Sequence, residues 1–438
     1  MASSPISYLN QSIANVRTVK NAGRVQSLTG SILRIEGLSH LAKLGDCLRL
    51  EGENGRFEAQ VIALDPDGLT ALPERSVAGC RVGQYVQHIG PRMIAPDLSW
   101  LGRIIDPWGR PLDGMPLASG CAPHRLFRSP PPAATRRGFG DRLATGLSIF
   151  DTALPLVRGQ RMGVFAGSGV GKSTLLGMLA KGVQADVRVI ALIGERGREL
   201  GAFVRDTLSP EAMSKSVVIA ATSDQSPLLR ADCLPAAMTV AEMFRDAGQQ
   251  VLVLADSITR FAEAYREVAI AAGEAPALRG FPASMTQALM GLAERAGPGA
   301  EGQADITALF TVLVAGSDME EPIADLVRGT LDGHIVLDRA IAERGRYPAI
   351  DLLRSVSRSL PEAANEAENA LIAEMRKHLG LYRKAEPMIR AGLHQKGADP
   401  ALDRAISLWP QLDQFLAAPS CAGPDDAFLR LRQILSSR

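Results

Sequence analysis

The stretch VFAGSGVGKSTLL, residues 164–176, decides the class of fold. An apolar strand is expected to end at Ala166, and after a glycine-rich turn a helix begins at Lys172. Glycines let the backbone point successive amides at an anion, and the helix N-terminus adds a partial positive charge. The residues of the predicted phosphate-binding loop are Ala166, Gly167, Ser168, Gly169, Val170, Gly171, Lys172, Ser173 and Thr174. Lys172 would reach the β- and γ-phosphates, and the Ser173 hydroxyl would bind magnesium.

Two acidic residues end other apolar segments. Asp256 closes QQVLVLAD, and Glu195 follows ALIG. Because ligands bind at the carboxyl ends of parallel strands, both carboxylates are expected at one edge of the sheet. Asp256 is predicted to bind magnesium directly or through water. Glu195 is predicted to orient the attacking water, with Arg196 beside it and Glu199 near the waters of the metal. A surface helix start with solvated charges is an equally good interpretation of this second segment.

Composition excludes several classes of protein. With 438 residues, 46% of them hydrophobic, the chain can bury the cores of two or three domains. Its 47 acidic and 48 basic residues give no overall field that attracts nucleic acid. The five cysteines lack the paired spacing of a zinc site or a disulfide framework. No apolar stretch approaches the roughly 20 residues of a membrane span, so any membrane contact is expected to be peripheral.

Four segments differ in their sequence pattern. Residues 1–22 form an amphipathic N-terminal segment, with a short helix expected over 6–20. Residues 23–92 contain short strand-like runs broken by turns, which favours a small antiparallel β-barrel. Residues 93–360 begin with a proline-rich connector over 93–140, which is expected to lack regular elements, and then alternate apolar strands with helices, as in a parallel sheet covered on both faces. The candidate strands are RMGVFA, VRVIALI, SVVIA, QVLVLAD and ITALFTVLV. Residues 361–438 have helical periodicity and predict an α-helical domain.

The string PAIDLLRSVS, residues 348–357, provides a family resemblance. Together with GRIIDPWGRPLDG, VAEMFRD and ERAG, it resembles the catalytic α/β family of rotary ATP synthases and type III export ATPases. The resemblance implies a β-barrel, a RecA-like nucleotide domain and a helical domain, with ATP as substrate, Mg²⁺ as cofactor and a six-membered ring. It also implies that Glu195 activates water, that Tyr347 stacks on adenine, and that Arg358 enters the site of the neighbouring subunit.

Other strings narrow the choice within this family. ADSITRFAEAYRE and KGADPALDRAISLWPQLDQFL resemble the flagellum-specific export ATPases, with the virulence-type secretion ATPases as the nearest alternative. The resemblance implies a cytoplasmic enzyme at the inner face of the membrane, with export-gate and regulator proteins, export substrates and chaperones as partners. An ATP synthase subunit and an RNA-translocating helicase are further alternatives. The helicase is disfavoured because Phe57 and Tyr85 are the only aromatic residues of the barrel segment. A scaffold without catalysis is disfavoured by the intact set of site residues.

A few residues depart from the family pattern. Asp305 places an unexpected carboxylate near a strand that should flank the active site. His394 stands where relatives often carry a tyrosine, which argues against an adenine contact there. Met285 and Gln287 are atypical, so contacts with substrates or a central stalk are expected to differ.

Overall fold

The computed structural model describes residues 20–53, 55–314, 319–420 and 422–437. The helix expected over residues 6–20 therefore lies almost wholly outside the described residues. Among the helices that are described, none combines the length and apolar character needed to cross a bilayer.

The first six strands form a closed antiparallel barrel with the order β1-β2-β5-β4-β3-β6. Apolar side chains alternate along these strands, and the inward set, which includes Leu33, Ile35 and Phe57, is almost completely buried. This alternation is the reason that the segment forms a barrel, because one face of each strand must enter the core. The strands are β1 Ala22–Thr29, β2 Ile32–Glu36, β3 Asp46–Gly52, β4 Gly55–Asp65, β5 Gly68–Pro73 and β6 Tyr85–Pro91.

The central domain contains an eight-stranded sheet with the order β16-β15-β10-β14-β13-β11-β12-β8. Its strand pairs are parallel except for β15 and β16. The apolar strands are buried on both faces, as the sequence predicts. The strands are β8 Ile104–Ile105, β10 Arg161–Ala166, β11 Val187–Glu195, β12 Ser216–Thr222, β13 Val251–Asp256, β14 Ile306–Leu313, β15 Gly333–Val336 and β16 Val356–Ser357. A separate ribbon pairs β7 Met93–Ile94 with β9 His124–Arg125.

Helices cover both faces of this sheet and form the C-terminal region. Around the sheet they are α1 Lys172–Gly182, α2 Gly197–Ala202, α3 Pro210–Ser214, α4 Pro227–Asp246, α5 Ile258–Ala271, α6 Ala283–Ala293, α7 Pro322–Thr330 and α8 Arg339–Glu343. The C-terminal helices are α9 Glu366–Arg390, α10 Pro400–Ala417 and α11 Pro424–Ser436. The predicted fold class is confirmed: a β-barrel, an α/β domain with a parallel sheet, and a helical C-terminal region.

Candidate active site

The loop between β10 and α1 presents a run of free backbone amides. Within the described residues, no amide of residues 168–174 donates to a protein acceptor, and the first helical bond joins Leu175 N to Gly171 O. Gly169 (φ +75°) and Gly171 (φ +90°) occupy the left-handed region, where side chains other than glycine are strained. Unpaired amides at the start of a helix form a binding site for an anion.

Lys172 lies between two carboxylates from neighbouring strands. Its Nζ donates a hydrogen bond to Asp256 Oδ1 and lies 3.7 Å from Glu195 Oε1. Asp256 ends β13 and Glu195 ends β11, and these strands are adjacent in the sheet. The structure thus brings Lys172, Glu195 and Asp256 together at the carboxyl edge, beside the loop.

Thr311 fixes the carboxylate of Asp256 from the neighbouring strand β14. Its Oγ1 donates to Asp256 Oδ1 at 2.7 Å. The bond from Lys172 also goes to Oδ1, which leaves Oδ2 for another ligand. Sequence reasoning missed Thr311, although a buried hydroxyl within the apolar strand ITALFTVL is a usable signal, because buried polar groups need a partner.

Glu195 has an altered proton affinity. Burial and the negative charge of Asp256 raise its pKa to about 7, Lys172 opposes the shift, and a hydrogen bond with Glu199 adds to it. A carboxylate with a pKa near the working pH is suited to accept a proton from water. Arg196 is largely exposed and lies 3.6 Å from Glu199. The structure does not bring Arg196 into contact with Lys172 or Asp256.

Tyr347 and Arg358 occupy different places relative to the loop. The ring of Tyr347 is partly exposed and lies beside Gly171, since a Cβ on that glycine would come within 3.0 Å of the ring. Arg358 follows β16 at the end of the sheet, and its side chain is exposed. Within one chain, the structure places Tyr347 at the loop and gives Arg358 no contact with Lys172 or Glu195.

The family string PAIDLLRSVS includes β16, which pairs with β15, and it contacts α9. The Asp351 carboxylate accepts hydrogen bonds from the amides of Leu353 and Arg354 and from the Arg383 guanidinium. The Ser357 hydroxyl donates to Pro155 O at 2.7 Å. These side chains hold the segment that follows Tyr347, so their role is structural.

The structure explains two departures from the family pattern. Asp305 directly precedes β14, so its carboxylate lies near this strand, as expected, but at the amino end, opposite to the edge that carries the site. Its buried Oδ1 accepts from Arg137 Nη2 at 2.7 Å and from Gly299 N at 2.9 Å. His394 Nε2 lies 2.8 Å from Asp403 Oδ1, which ties the loop before α10 to that helix.

Two family descriptions match this chain. Residues 146–357 match the ATP synthase alpha/beta family, nucleotide-binding domain. Residues 364–420 match the C-terminal domain of the type III secretion ATPase EscN. The first match contains the loop, Glu195, Asp256 and Tyr347, and the second contains α9 and α10.

Whole-chain relatives agree with these descriptions. The flagellum-specific ATP synthase of Caulobacter vibrioides is 43% identical, over 95% of this chain and 96% of the relative. The SPI-2 type 3 secretion system ATPase of Salmonella typhimurium is 44% identical, over 87% of this chain and 88% of the relative. The assembled ATPase EscN from enteropathogenic E. coli is similar in structure, with a TM-score of 0.87 and 36% identity, covering 94% of this chain and all of that one. The chain therefore belongs to the ATP synthase alpha/beta family, in the group of the flagellum-specific and type III secretion ATPases.

Proposed function

We propose that this chain is the ATPase of a flagellar type III protein export apparatus. It hydrolyses ATP to ADP and phosphate, and the energy assists the release or unfolding of export substrates held by chaperones. Family membership supports the reaction, and the 43% identity to a flagellum-specific protein supports the apparatus. The observation that carries the proposal is the position of Lys172 between Asp256 and Glu195, next to the free amides of the loop.

The loop binds the phosphates of ATP. The amides of residues 168–174 donate to phosphate oxygens, and Lys172 neutralises the β- and γ-phosphates. Lys172 donates a hydrogen bond to Asp256, and in nucleotide binding the phosphates become a further charged partner of its ammonium group. Tyr347 stacks on the adenine, because its partly exposed ring lies beside the loop.

The residues present fit a magnesium ion. Ser173 is exposed at the start of α1, and Asp256 has Oδ2 free of the bonds from Lys172 and Thr311. Hydroxyl and carboxylate oxygens are ligands that Mg²⁺ prefers, with the remaining positions taken by water and phosphate. Glu199 is near enough to Glu195 to contact such waters. When bound, the ion neutralises charge on the β- and γ-phosphates.

Hydrolysis requires a water molecule aligned with the γ-phosphate. Glu195, with its pKa of about 7, orients this water and accepts its proton. Arg358 of the neighbouring subunit supplies positive charge to the transferring phosphoryl group, a contribution worth about 10³–10⁵ in rate. Arg196 is placed to act through Glu199, with which it pairs.

We extend the assembly of relatives to this chain. EscN has been solved as an assembled ATPase and in complex with its central stalk EscO, with TM-scores of 0.87 and 0.86. By analogy, this chain forms a six-membered ring at the cytoplasmic face of the membrane, where it meets export-gate and regulator proteins. Its domains are residues 23–92, 93–360 and 361–438, preceded by an N-terminal segment.

A virulence-type secretion apparatus is the second candidate. The 44% identity to the SPI-2 ATPase is close to the 43% identity to the flagellum-specific relative, but it extends over 87% of this chain instead of 95%. Deletion of the gene discriminates the two systems: loss of motility supports the flagellar assignment, and loss of effector secretion with normal motility supports the other. An RNA helicase is disfavoured, because Phe57 is buried and leaves Tyr85 as the one exposed aromatic of the described barrel.

Phosphate release by the purified chain tests the proposed reaction. Lys172→Ala should abolish ATP hydrolysis, because it removes the cation that neutralises the β- and γ-phosphates. Arg390→Gln is the matched control, since Arg390 is exposed on α9 and pairs with Glu386. Near-normal turnover by the Lys172 variant would contradict the proposed site.

A further inference from the structure

Arg339, the first residue of α8, contacts the phosphate-binding loop. Its Nη2 donates a hydrogen bond to the Ser168 carbonyl oxygen at 3.0 Å. Among the described residues, no carboxylate lies within ion-pair distance of this guanidinium, although most other arginines near the sheet have such a partner. One N–H group of this exposed guanidinium thus donates to a carbonyl of the loop. Hydrogen bonds from charged donors are about twice as strong as neutral ones.

The contact between Arg339 and the Ser168 carbonyl also determines where the Gly169 amide points, because the peptide bond is planar. The Ser168–Gly169 peptide is trans, so its C=O and N–H groups point in opposite directions. The carbonyl points at Arg339, and the Gly169 amide therefore points away from it, without a protein acceptor in the described residues. A guanidinium on the carbonyl also polarises the peptide, which makes the amide a stronger donor. Arg339 thereby orients and strengthens one of the amides available to an anion.

The segment that carries Arg339 is itself anchored. Asp338 caps α8 by accepting from Ile341 N, and Arg346 Nε lies 3.1 Å from Asp413 Oδ1 on α10. The ring of Tyr347, eight residues after Arg339, lies beside Gly171 at the other end of the loop. The same segment therefore borders the loop at Ser168 and at Gly171. A fixed support of this kind is needed to hold a glycine-rich turn in one conformation.

We propose that Arg339 is a positioning residue for the phosphate-binding loop. It holds the Ser168–Gly169 peptide in the orientation that presents the Gly169 amide to the phosphates of the nucleotide. The inference rests on the proposed function, since it assumes that this loop binds ATP. Because the contact joins two parts of the chain and does not involve the reacting phosphate, its effect is expected in binding of ATP and ADP alike, rather than in the reaction step.

Steady-state hydrolysis by Arg339→Gln and Arg339→Lys tests this role. The Gln variant should raise KM for ATP and Kd for ADP about tenfold, while kcat changes little. This is the expected effect of losing one charge-assisted hydrogen bond between the Gly169 amide and a phosphate. The Lys variant keeps a charged donor and should restore part of the affinity. Arg390→Gln, an exposed arginine on α9, is the control and should match the wild type. Thermal unfolding without nucleotide should give the same midpoint for all four proteins.

The results of these measurements distinguish a failure of the inference on Arg339 from a failure of the proposed function. Unchanged KM and Kd in both Arg339 variants, with an active wild type, would overturn the inference and leave the proposed function intact. A large fall in kcat with unchanged ADP affinity would also overturn it, because Arg339 would then act on the reacting phosphate. Should Arg339→Gln lower the unliganded midpoint, the Lys variant decides, and a KM equal to that of the Gln variant contradicts the role. Absence of hydrolysis by the wild type would count against the proposed function instead.

Discussion

Glu195 has three charged neighbours whose effects on its pKa differ in sign. Burial and Asp256 raise the pKa of Glu195 to about 7, and Lys172 lowers it. Asp256, in contrast, is fixed by Thr311 and Lys172 through direct hydrogen bonds. Two carboxylates at one sheet edge are thus suited to different tasks, proton transfer for Glu195 and metal binding for Asp256.

The pH dependence of hydrolysis follows from this raised pKa. Below pH 7 Glu195 becomes protonated and cannot accept a proton, so kcat/KM should fall as pH drops through about 7, by up to about tenfold per pH unit. Glu199→Gln should move this acid limb to lower pH, because Glu199 contributes to the raised pKa. The measurement is kcat/KM between pH 5 and 9, since this ratio reports the free enzyme. A limb near 4.5, the ordinary value for glutamate, would show that the environment of Glu195 does not tune the reaction.

The sequence alone predicted the position of those site residues that begin or end a single helix or strand. Lys172 begins a helix, and Glu195 and Asp256 end strands, so local pattern places all three at the same edge. Thr311 and Arg339 were not predicted from the sequence. Thr311 contacts Asp256, 55 residues away in sequence, and Arg339 contacts Ser168, 171 residues away. The placement of Asp305 beside β14 was correct, but its contacts with Arg137 and Gly299, which are distant from it in sequence or in a turn, were not predicted.

At the scale of elements, apolar strands of five or more residues were predictable. RMGVFA, VRVIALI, SVVIA, QVLVLAD and ITALFTVLV all contain strands of the sheet. The short strands β8 and β16 were not predicted, because two residues carry no periodicity and their pairing depends on the strand beside them. The 93–140 connector was expected to lack regular elements, yet it supplies β8 to the edge of the sheet.

At the amino end of β14, the buried carboxylate of Asp305 pairs with the exposed guanidinium of Arg137. Asp305→Ala would leave Gly299 N without its acceptor and Arg137 without its carboxylate. We expect the free energy of unfolding to fall by about 1–3 kcal/mol, the cost of an unsatisfied buried polar group, with kcat/KM unchanged. Urea denaturation measures the first quantity and phosphate release the second. Glu301→Ala, at an exposed acid in the preceding turn, is the control. Loss of kcat/KM at unchanged stability would instead place Asp305 in the active site.

At the scale of the whole molecule, the proposed reaction uses one positive charge that a single chain does not bring to its own loop. Its own loop region provides Lys172, while Arg358 is exposed after the edge strand β16, two strands away from β10. Charge on the transferring phosphoryl group is best stabilised by an arginine at the reaction centre. In a head-to-tail ring every subunit presents both surfaces, so Arg358 of the neighbouring subunit can complete each site.

Mixing two inactive variants tests this shared site most directly. Arg358→Ala and Glu195→Gln should each have little turnover as separate rings. In an equal mixture about a quarter of the interfaces would join an intact Glu195 to an intact Arg358, because a head-to-tail ring has one kind of interface. Phosphate release by the mixture should therefore rise well above that of either variant alone. If the two chains assemble together and the mixture remains as inactive as its components, Arg358 does not complete the site of the neighbouring subunit.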